Sequence, residues 1–228
     1  MRPRLHCVAV SLLLLELAGI LSATSKPHAI VFGKWTTIKL LTGREEAEPL
    51  ELKVRPLYVD GKLREYTFDI PHEITDHLFV VRRVIRVNDA LPEEVVTNAH
   101  WAWQRSGWLL VDRINGHVSA VNLPDFDPED FSSTWYRDYV AYCGIADDGK
   151  KLFAVVMQLG RRKPVLRKAI AEVSGEDRSH PECASPVWQR RPPRVTFLSS
   201  ADQKFTFAVR GHAVEMVSDD EEDETGTE

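Results

Sequence analysis

Two histidines, at positions 72 and 77, are the first side chains whose type and spacing could bind a metal. Zinc hydrolases place two histidine ligands four residues apart, so that both lie on one face of a helix. The five-residue spacing of His72 and His77 separates them by about 140° on a helix and puts them on opposite faces of a strand. The segment therefore favours a polar loop leading into a strand over a metal site.

A run of acidic residues after Pro124 could bind a calcium ion, which prefers carboxylate oxygens. The EF-hand spacing is absent, because the sixth position holds no glycine and Tyr136 stands where the bidentate glutamate would be. The run therefore predicts a solvated connecting loop, with an irregular Ca²⁺ site as the alternative. The candidate ligands of that site are Asp125, Asp127, Glu129 and Asp130.

Large aromatic side chains are concentrated between positions 101 and 136 and could form a flat surface for sugar rings or a peptide. Trp101 and Trp103 would point the same way if they lie on a strand. Packing in the core is the more common use of such residues in β domains. Core packing is therefore the first interpretation, and the alternative is a ligand platform formed by Trp101, Trp103, Trp135 and Tyr136.

Cys143 and Cys183 would be the two cysteines left in a mature exported chain. An oxidising compartment lets a disulfide persist, and a Cys143–Cys183 bond would tie a proline-rich loop to the central strands. Two separate thiols, one buried and one exposed, are the alternative, because a sequence does not supply the Cα separation that the bond requires.

The first 23 residues have the features of a cleaved signal peptide. Arg2 and Arg4 precede an apolar run over residues 8–21 that is interrupted by Glu16, and Ser22 and Ala23 are small. The run is shorter than a comfortable bilayer span, so we expect cleavage and export to the periplasm or the extracellular space. An uncleaved anchor is the alternative, and no other transmembrane span is predicted.

The formal net charge of −5 is unevenly distributed along the chain. Residues 218–228 carry −7 and residues 1–23 carry +1, which leaves +1 for residues 24–217. A near-neutral body gives no indication of nucleic acid or a membrane surface as a partner. The acidic tail cannot bury apolar surface and is predicted to be disordered, although it could fold back on Arg161, Arg162, Lys163, Arg190 and Arg191.

Hairpins dominate the rest of the chain, since no helical periodicity is sustained after the apolar N-terminal run. Asn115-Gly116 predicts a two-residue turn that pairs Trp108 with Leu123. Asp60-Gly61 predicts another turn, and residues 139–171 predict a three-stranded meander. Both faces of the Asn115-Gly116 hairpin are apolar, so neighbouring sheets should cover it on both sides.

We therefore expect residues 24–217 to form a single all-β domain that is hairpin-rich and built from several sheets. Five prolines and glycines between residues 174 and 193 predict a long irregular loop there. Loops of that length are often functional.

Two of these hairpins resemble the blades of β-propellers. Residues 147–155 read Asp-Asp-Gly-Lys-Lys-Leu-Phe-Ala-Val, and residues 111–118 read Val-Asp-Arg-Ile-Asn-Gly-His-Val. The resemblance covers about residues 108–170 and points to no particular family. It implies a propeller-like arrangement of sheets, and a β-sandwich or barrel is the alternative.

The sequence favours an exported binding or interaction module that needs no cofactor and whose partner is a protein, a peptide or a carbohydrate. The chain contains neither a phosphate-binding glycine loop nor a nucleophile elbow. One alternative is a secreted hydrolase of glycosidase or lactonase type, as some propellers are, with Asp125, Asp127, His72 and His117 as its candidates. Another is a structural component of an envelope assembly, which would have an unpaired sheet edge or a large apolar patch.

Overall fold

The computed structural model describes residues 27–40, 50–88, 101–146, 148–173, 183–199, 203–211 and 213–217. Within these ranges the chain forms β-strands and no helix, which confirms the all-β prediction. None of the described segments is therefore a helix that could cross a membrane. The predicted signal peptide, the acidic tail and residues 174–182 of the predicted loop lie outside the described residues.

The first sheet contains seven antiparallel strands in the order β1-β3-β4-β5-β6-β7, and β2 also pairs with β3. Its longest strands are β4, β5 and β6. The strands are β1 (Ile30–Phe32), β2 (Thr36–Lys39), β3 (Glu51–Val59), β4 (Lys62–Glu73), β5 (Leu78–Asn88), β6 (Trp101–Asp112) and β7 (Val118–Val121).

The second and third sheets are four-stranded antiparallel meanders, each in chain order. The second sheet comprises β8 (Ser133–Tyr136), β9 (Tyr139–Ile145), β10 (Lys151–Gln158) and β11 (Leu166–Glu172). The third comprises β12 (Val187–Arg190), β13 (Pro193–Leu198), β14 (Lys204–Arg210) and β15 (Ala213–Met216). The meander predicted over residues 139–171 is thus confirmed.

The second sheet is the middle layer, because its central strands β9 and β10 are buried on both faces. One face packs with Val195, Phe197 and Phe207 of the third sheet. The other face carries Val140, Tyr142 and Val155 and packs with side chains that include Leu123 and Trp135. A fully buried pair of strands explains the nearly continuous apolar sequence of this hairpin.

The Asp60-Gly61 turn has the predicted form. Val59 pairs with Lys62, and both turn residues have positive φ, 51° at Asp60 and 74° at Gly61. Positive φ at both positions is the type I′ geometry that fits the right-handed twist of a hairpin.

The register predicted for the Asn115-Gly116 hairpin is wrong. Trp108 pairs with Val121, not with Leu123, and of the two turn residues only Gly116 has positive φ. The Asp112 carboxylate accepts the Ile114 N–H at 2.7 Å, which stabilises a longer turn in the manner of an Asx turn. The register moves by two residues, so every side chain keeps its predicted face.

The irregular loop predicted over residues 174–193 is also wrong in its second half, because Val187–Arg190 is strand β12. Pro186 precedes that strand, the Arg191–Pro192 bond is cis and lies in the following turn, and Pro193 begins β13. Proline is tolerated at the first position of a strand and in turns. These prolines therefore delimit a hairpin.

The cysteines connect the second and third sheets. Cys143 lies on β9, and Cys183 pairs with Ser199 just beyond β13. Their Cα atoms are 6.4 Å apart and the sulfurs are at disulfide distance. The bond would tie the third sheet to the middle layer.

Replacing both cysteines, as Cys143→Ala with Cys183→Ala, should lower the free energy of unfolding. The bond closes a loop with a sequence separation of 40, for which chain entropy predicts a loss of about 2–4 kcal/mol. Urea unfolding of the oxidised wild type and of the double variant measures the difference. The variant should be insensitive to reductant, and a wild type equally insensitive would contradict the disulfide.

Two glycines with similar positive φ should respond differently to alanine. Gly116 has φ +67° and an added Cβ would lie 2.7 Å from His28 Cγ, whereas Gly149 has φ +69° and no atom within 4 Å of that position. We expect Gly149→Ala to cost about 1 kcal/mol of backbone strain and Gly116→Ala to cost clearly more. Thermal unfolding compares them, and equal losses would disprove the close approach of His28.

Candidate aromatic cleft

The three sheets meet around a cleft of about 780 Å³, which we call the aromatic cleft. The end of β4, strand β8 with its following turn, and strand β12 with its following turn each contribute side chains. The lining residues are His72, Glu73, Ile74, Trp135, Tyr136, Arg137, Trp188, Arg190, Arg191, Pro192 and Pro193.

Strands β8 and β12 lie side by side, and hydrogen bonds to their main chains hold the aromatic side chains. The Thr134 hydroxyl donates to the Pro186 carbonyl at 2.8 Å, and Trp188 Nε1 donates to the Thr134 carbonyl at 3.2 Å. The Tyr136 hydroxyl donates to the Arg190 carbonyl at 3.3 Å. The rings of Tyr136 and Trp188 are therefore held with their centroids 5.4 Å apart.

Trp135 is held from the other side by the first sheet. Its ring stacks on His72 with centroids 5.9 Å apart and meets Trp108 edge-on at 5.5 Å. Trp108 Nε1 donates to Ser133 Oγ at 2.7 Å, and His72 Nε2 bonds to the Arg137 carbonyl at 2.8 Å. Trp135 also lines a smaller cavity of about 260 Å³, so it forms a wall between the two spaces.

The lining of the cleft is positively charged. Arg137, Arg190 and Arg191 are exposed, and the Arg137 guanidinium lies 5.4 Å from the Tyr136 ring centroid. The single acidic lining residue, Glu73, is bound by both terminal nitrogens of Arg113 at 2.7 and 2.8 Å. The three arginines therefore face the cleft without a carboxylate of the lining to neutralise them.

The four aromatic residues proposed as a platform do not form one surface. Trp135 and Tyr136 line the cleft, whereas Trp101 is 57% exposed and Trp103 meets Tyr66 edge-on at 5.1 Å. Strand β6 begins at Trp101 and ends at Asp112, a span of about 35 Å at roughly 3.3 Å per residue. Trp101 and Trp103 thus lie at the opposite end of the first sheet from the cleft.

The four carboxylates proposed for Ca²⁺ are partly committed to bonds within the protein. Asp125 accepts a hydrogen bond from Arg167 Nε at 2.8 Å, and Asp127 accepts one from the Glu129 N–H at 2.8 Å. Across the described part of the chain, no three histidine, cysteine, aspartate or glutamate side chains, Asp130 included, are grouped so that they could hold a metal.

The four residues proposed for a hydrolase are separated. Asp125 and Asp127 line a depression next to β9 whose wall contains no histidine. His72 lies in the aromatic cleft, and His117 lies in the turn between β6 and β7. No acid–histidine pair for general acid–base chemistry is formed from these four.

Sequence reasoning did not predict Trp188, Arg190, Arg191 and Pro192 as lining of a cleft, and it named Arg190 and Arg191 only as contacts for the acidic tail. They were hidden inside the predicted loop because prolines on both sides suggested irregular structure. The signal that could have revealed them is the short run Val-Trp-Gln-Arg, which begins with a β-branched and an aromatic residue, both favoured in strands.

The ion pair between Arg113 and Glu73 should make the free energy of unfolding depend on pH. The hydrogen bonds from Arg113 lower the pKa of Glu73 below its ordinary value. A carboxyl with a lowered folded-state pKa stabilises the fold above its unfolded-state pKa, and this contribution is lost as the pH falls through the folded-state pKa. Because both side chains are partly exposed, the effect on stability should be below about 1 kcal/mol.

We expect Arg113→Gln to return the Glu73 pKa towards its ordinary value, measured by NMR titration of the carboxyl carbon. Arg64→Gln is the control, since Arg64 lies near the start of β4 and Glu73 at its end. An unchanged Glu73 pKa in Arg113→Gln would contradict the bidentate contact.

The comparisons with known proteins supply no relative on which to base a function. No protein-family model matches the chain, and no curated protein and no solved structure matches it either. The functional argument therefore rests on the geometry of the aromatic cleft.

Proposed function

We propose that the protein is an exported, non-catalytic binding module that holds a peptide segment of a partner protein in the aromatic cleft. The observation that carries the proposal is the meeting of Trp135, Tyr136 and Trp188 with exposed arginines at the junction of three sheets. Clefts lined by aromatic side chains with a few polar groups at the rim are the usual form of ligand sites.

The chemistry of the lining suggests the ligand. Tyr136, Trp188 and Pro192 offer apolar surface to an aromatic or aliphatic side chain. Arg137, Arg190 and Arg191 offer planar guanidinium groups, which bind carboxylates through paired hydrogen bonds. This combination favours a peptide that carries an aromatic residue next to acidic residues over a neutral sugar.

A propeller-like arrangement of the second and third sheets is part of the proposal. Each sheet is a four-stranded meander, as propeller blades are, and the first strands β8 and β12 are neighbours that share the Thr134–Pro186 hydrogen bond. In such an arrangement β8 and β12 would face the central channel. The aromatic cleft would then lie at the mouth of that channel.

Export is supported by the cysteine pair, because an intramolecular disulfide between Cys143 and Cys183 persists in the periplasm or outside the cell but is rare in the cytosol. The proposed function does not include catalysis, because neither His72 nor His117 lines the depression that contains Asp125 and Asp127.

An array of 12-residue peptides that differ in their numbers of glutamate and aromatic residues tests this function. Wild-type protein should retain peptides with an aromatic residue flanked by glutamates. Tyr136→Ala should weaken this binding at least tenfold, about 1.4 kcal/mol, because it removes one wall of the cleft. Trp101→Ala is the control, since it removes an exposed aromatic side chain outside the cleft and should change nothing.

The cleft would be ruled out as the binding site if the wild type and Tyr136→Ala bound the peptides equally well. Near-UV circular dichroism must first show that both proteins are folded. Binding to neutral glycans but to no peptide would rule out the ligand class.

A further inference from the structure

The antiparallel topology gathers cationic side chains at one end of the second and third sheets. The turns after β8, β10, β12 and β14 all lie at the end where β9 begins. The described residues of these turns, together with the last residues of β12 and β14, include seven exposed cationic residues and one acidic residue, Asp138. We call these seven residues the basic end: Arg137, Arg161, Arg162, Lys163, Arg190, Arg191 and Arg210.

Hydrogen bonds between the turns show that they share this end. The Leu159 N–H donates to the Asp138 carbonyl at 2.8 Å, which joins the turns after β10 and β8. The Tyr136 hydroxyl donates to the Arg190 carbonyl at 3.3 Å, and the Tyr139 hydroxyl donates to the Gly211 carbonyl. The basic end therefore continues directly from the aromatic cleft.

None of the seven cationic side chains forms an ion pair with a described residue. Three arginines elsewhere in the described chain do form ion pairs, namely Arg83 with Glu65, Arg113 with Glu73 and Arg167 with Asp125. Asp138 instead accepts a hydrogen bond from the Gln158 amide at 2.8 Å. A cluster of seven cationic side chains with a single carboxylate among them is a surface that attracts an anionic partner.

The chain carries a segment of matching charge, residues 218–228, in which seven of the eleven residues are acidic. This tail follows Val217, at the end of β15, the edge strand of the third sheet. Val217 lies about 20 Å from Arg190, taking roughly 3.3 Å per residue along β15 and 4.8 Å per strand across the sheet. Eleven residues span up to about 36 Å, so the tail is long enough to double back.

We propose that the acidic tail, residues 218–228, docks on the basic end of its own chain and competes there with a ligand of the aromatic cleft. A short tether gives the tail an effective concentration in the millimolar range, so that even a weak contact would be occupied. The competition rests on the function proposed above, whereas the docking itself does not. The contact is electrostatic and should weaken with salt, because surface charges are screened within about 3 Å at 1 M ionic strength.

The test uses full-length protein and a fluorescein-labelled synthetic peptide with the sequence of residues 218–228, followed by fluorescence anisotropy in 20 mM salt. A chain whose seven acidic tail residues are replaced by asparagine and glutamine should bind the peptide at least fivefold more tightly than the wild type. Adding Arg190→Glu and Arg191→Glu to that chain should weaken binding at least tenfold. Adding Arg64→Glu, an exposed arginine at the far end of β4, should leave binding unchanged.

Equal peptide binding by the wild-type and neutral-tail chains would overturn the proposal, and so would equal weakening by the Arg64 control. A difference that disappears on dilution would show exchange of tails between copies and would also overturn the intramolecular contact. The same chains on the peptide array separate the two proposals. If Tyr136→Ala weakens binding to the array but the neutral tail does not change it, the proposed function is supported and the competition by the tail is rejected. If the tail docks but no peptide of the array binds, the docking is supported and the proposed function is rejected.

Discussion

The burial of β9 and β10 on both faces is the constraint on which the rest of the structure depends. A buried valine, leucine or phenylalanine side chain contributes roughly 1.5–3 kcal/mol, and this hairpin presents such residues to both sides. Such a hairpin is stable only when both faces are covered: the third sheet covers one face, and Leu123, Phe126 and Trp135 pack on the other. Cys143 lies on the face towards the third sheet, where its bond to Cys183 reinforces the same packing.

The aromatic cleft is a direct consequence of this layering. Strand β8 is the edge strand of the middle sheet, and alternate side chains of a strand point to opposite faces. Trp135 therefore meets Trp108 of the first sheet, while Thr134 and Tyr136 meet Pro186 and Arg190 of the third. Three consecutive residues thus connect three sheets, and the aromatic cleft opens beside them.

The sequence correctly predicted the features that depend on interactions between residues close together in the chain. The Asp60-Gly61 turn and the meander over residues 139–171 follow from turn chemistry and alternation, and both are confirmed. The Asn115-Gly116 register failed because the Asp112 carboxylate competed for the turn's N–H groups. Strand β12 was missed because its flanking prolines read as a loop. Which tryptophans meet was beyond the sequence, since Trp101 and Trp135 differ in tertiary position and not in local pattern.

Net charge proved to be the least informative sequence property, for a reason that lies in the topology. A meander sends alternate turns to the same end of its sheet, so charges far apart in sequence become neighbours. Arg137, Arg162 and Arg191 share one end, while Asp125 lies at the other, where its carbonyl accepts the Ile145 N–H. The charge of +1 for residues 24–217 therefore conceals a local cluster of cationic side chains, and a near-neutral domain can still present a basic surface to an acidic partner.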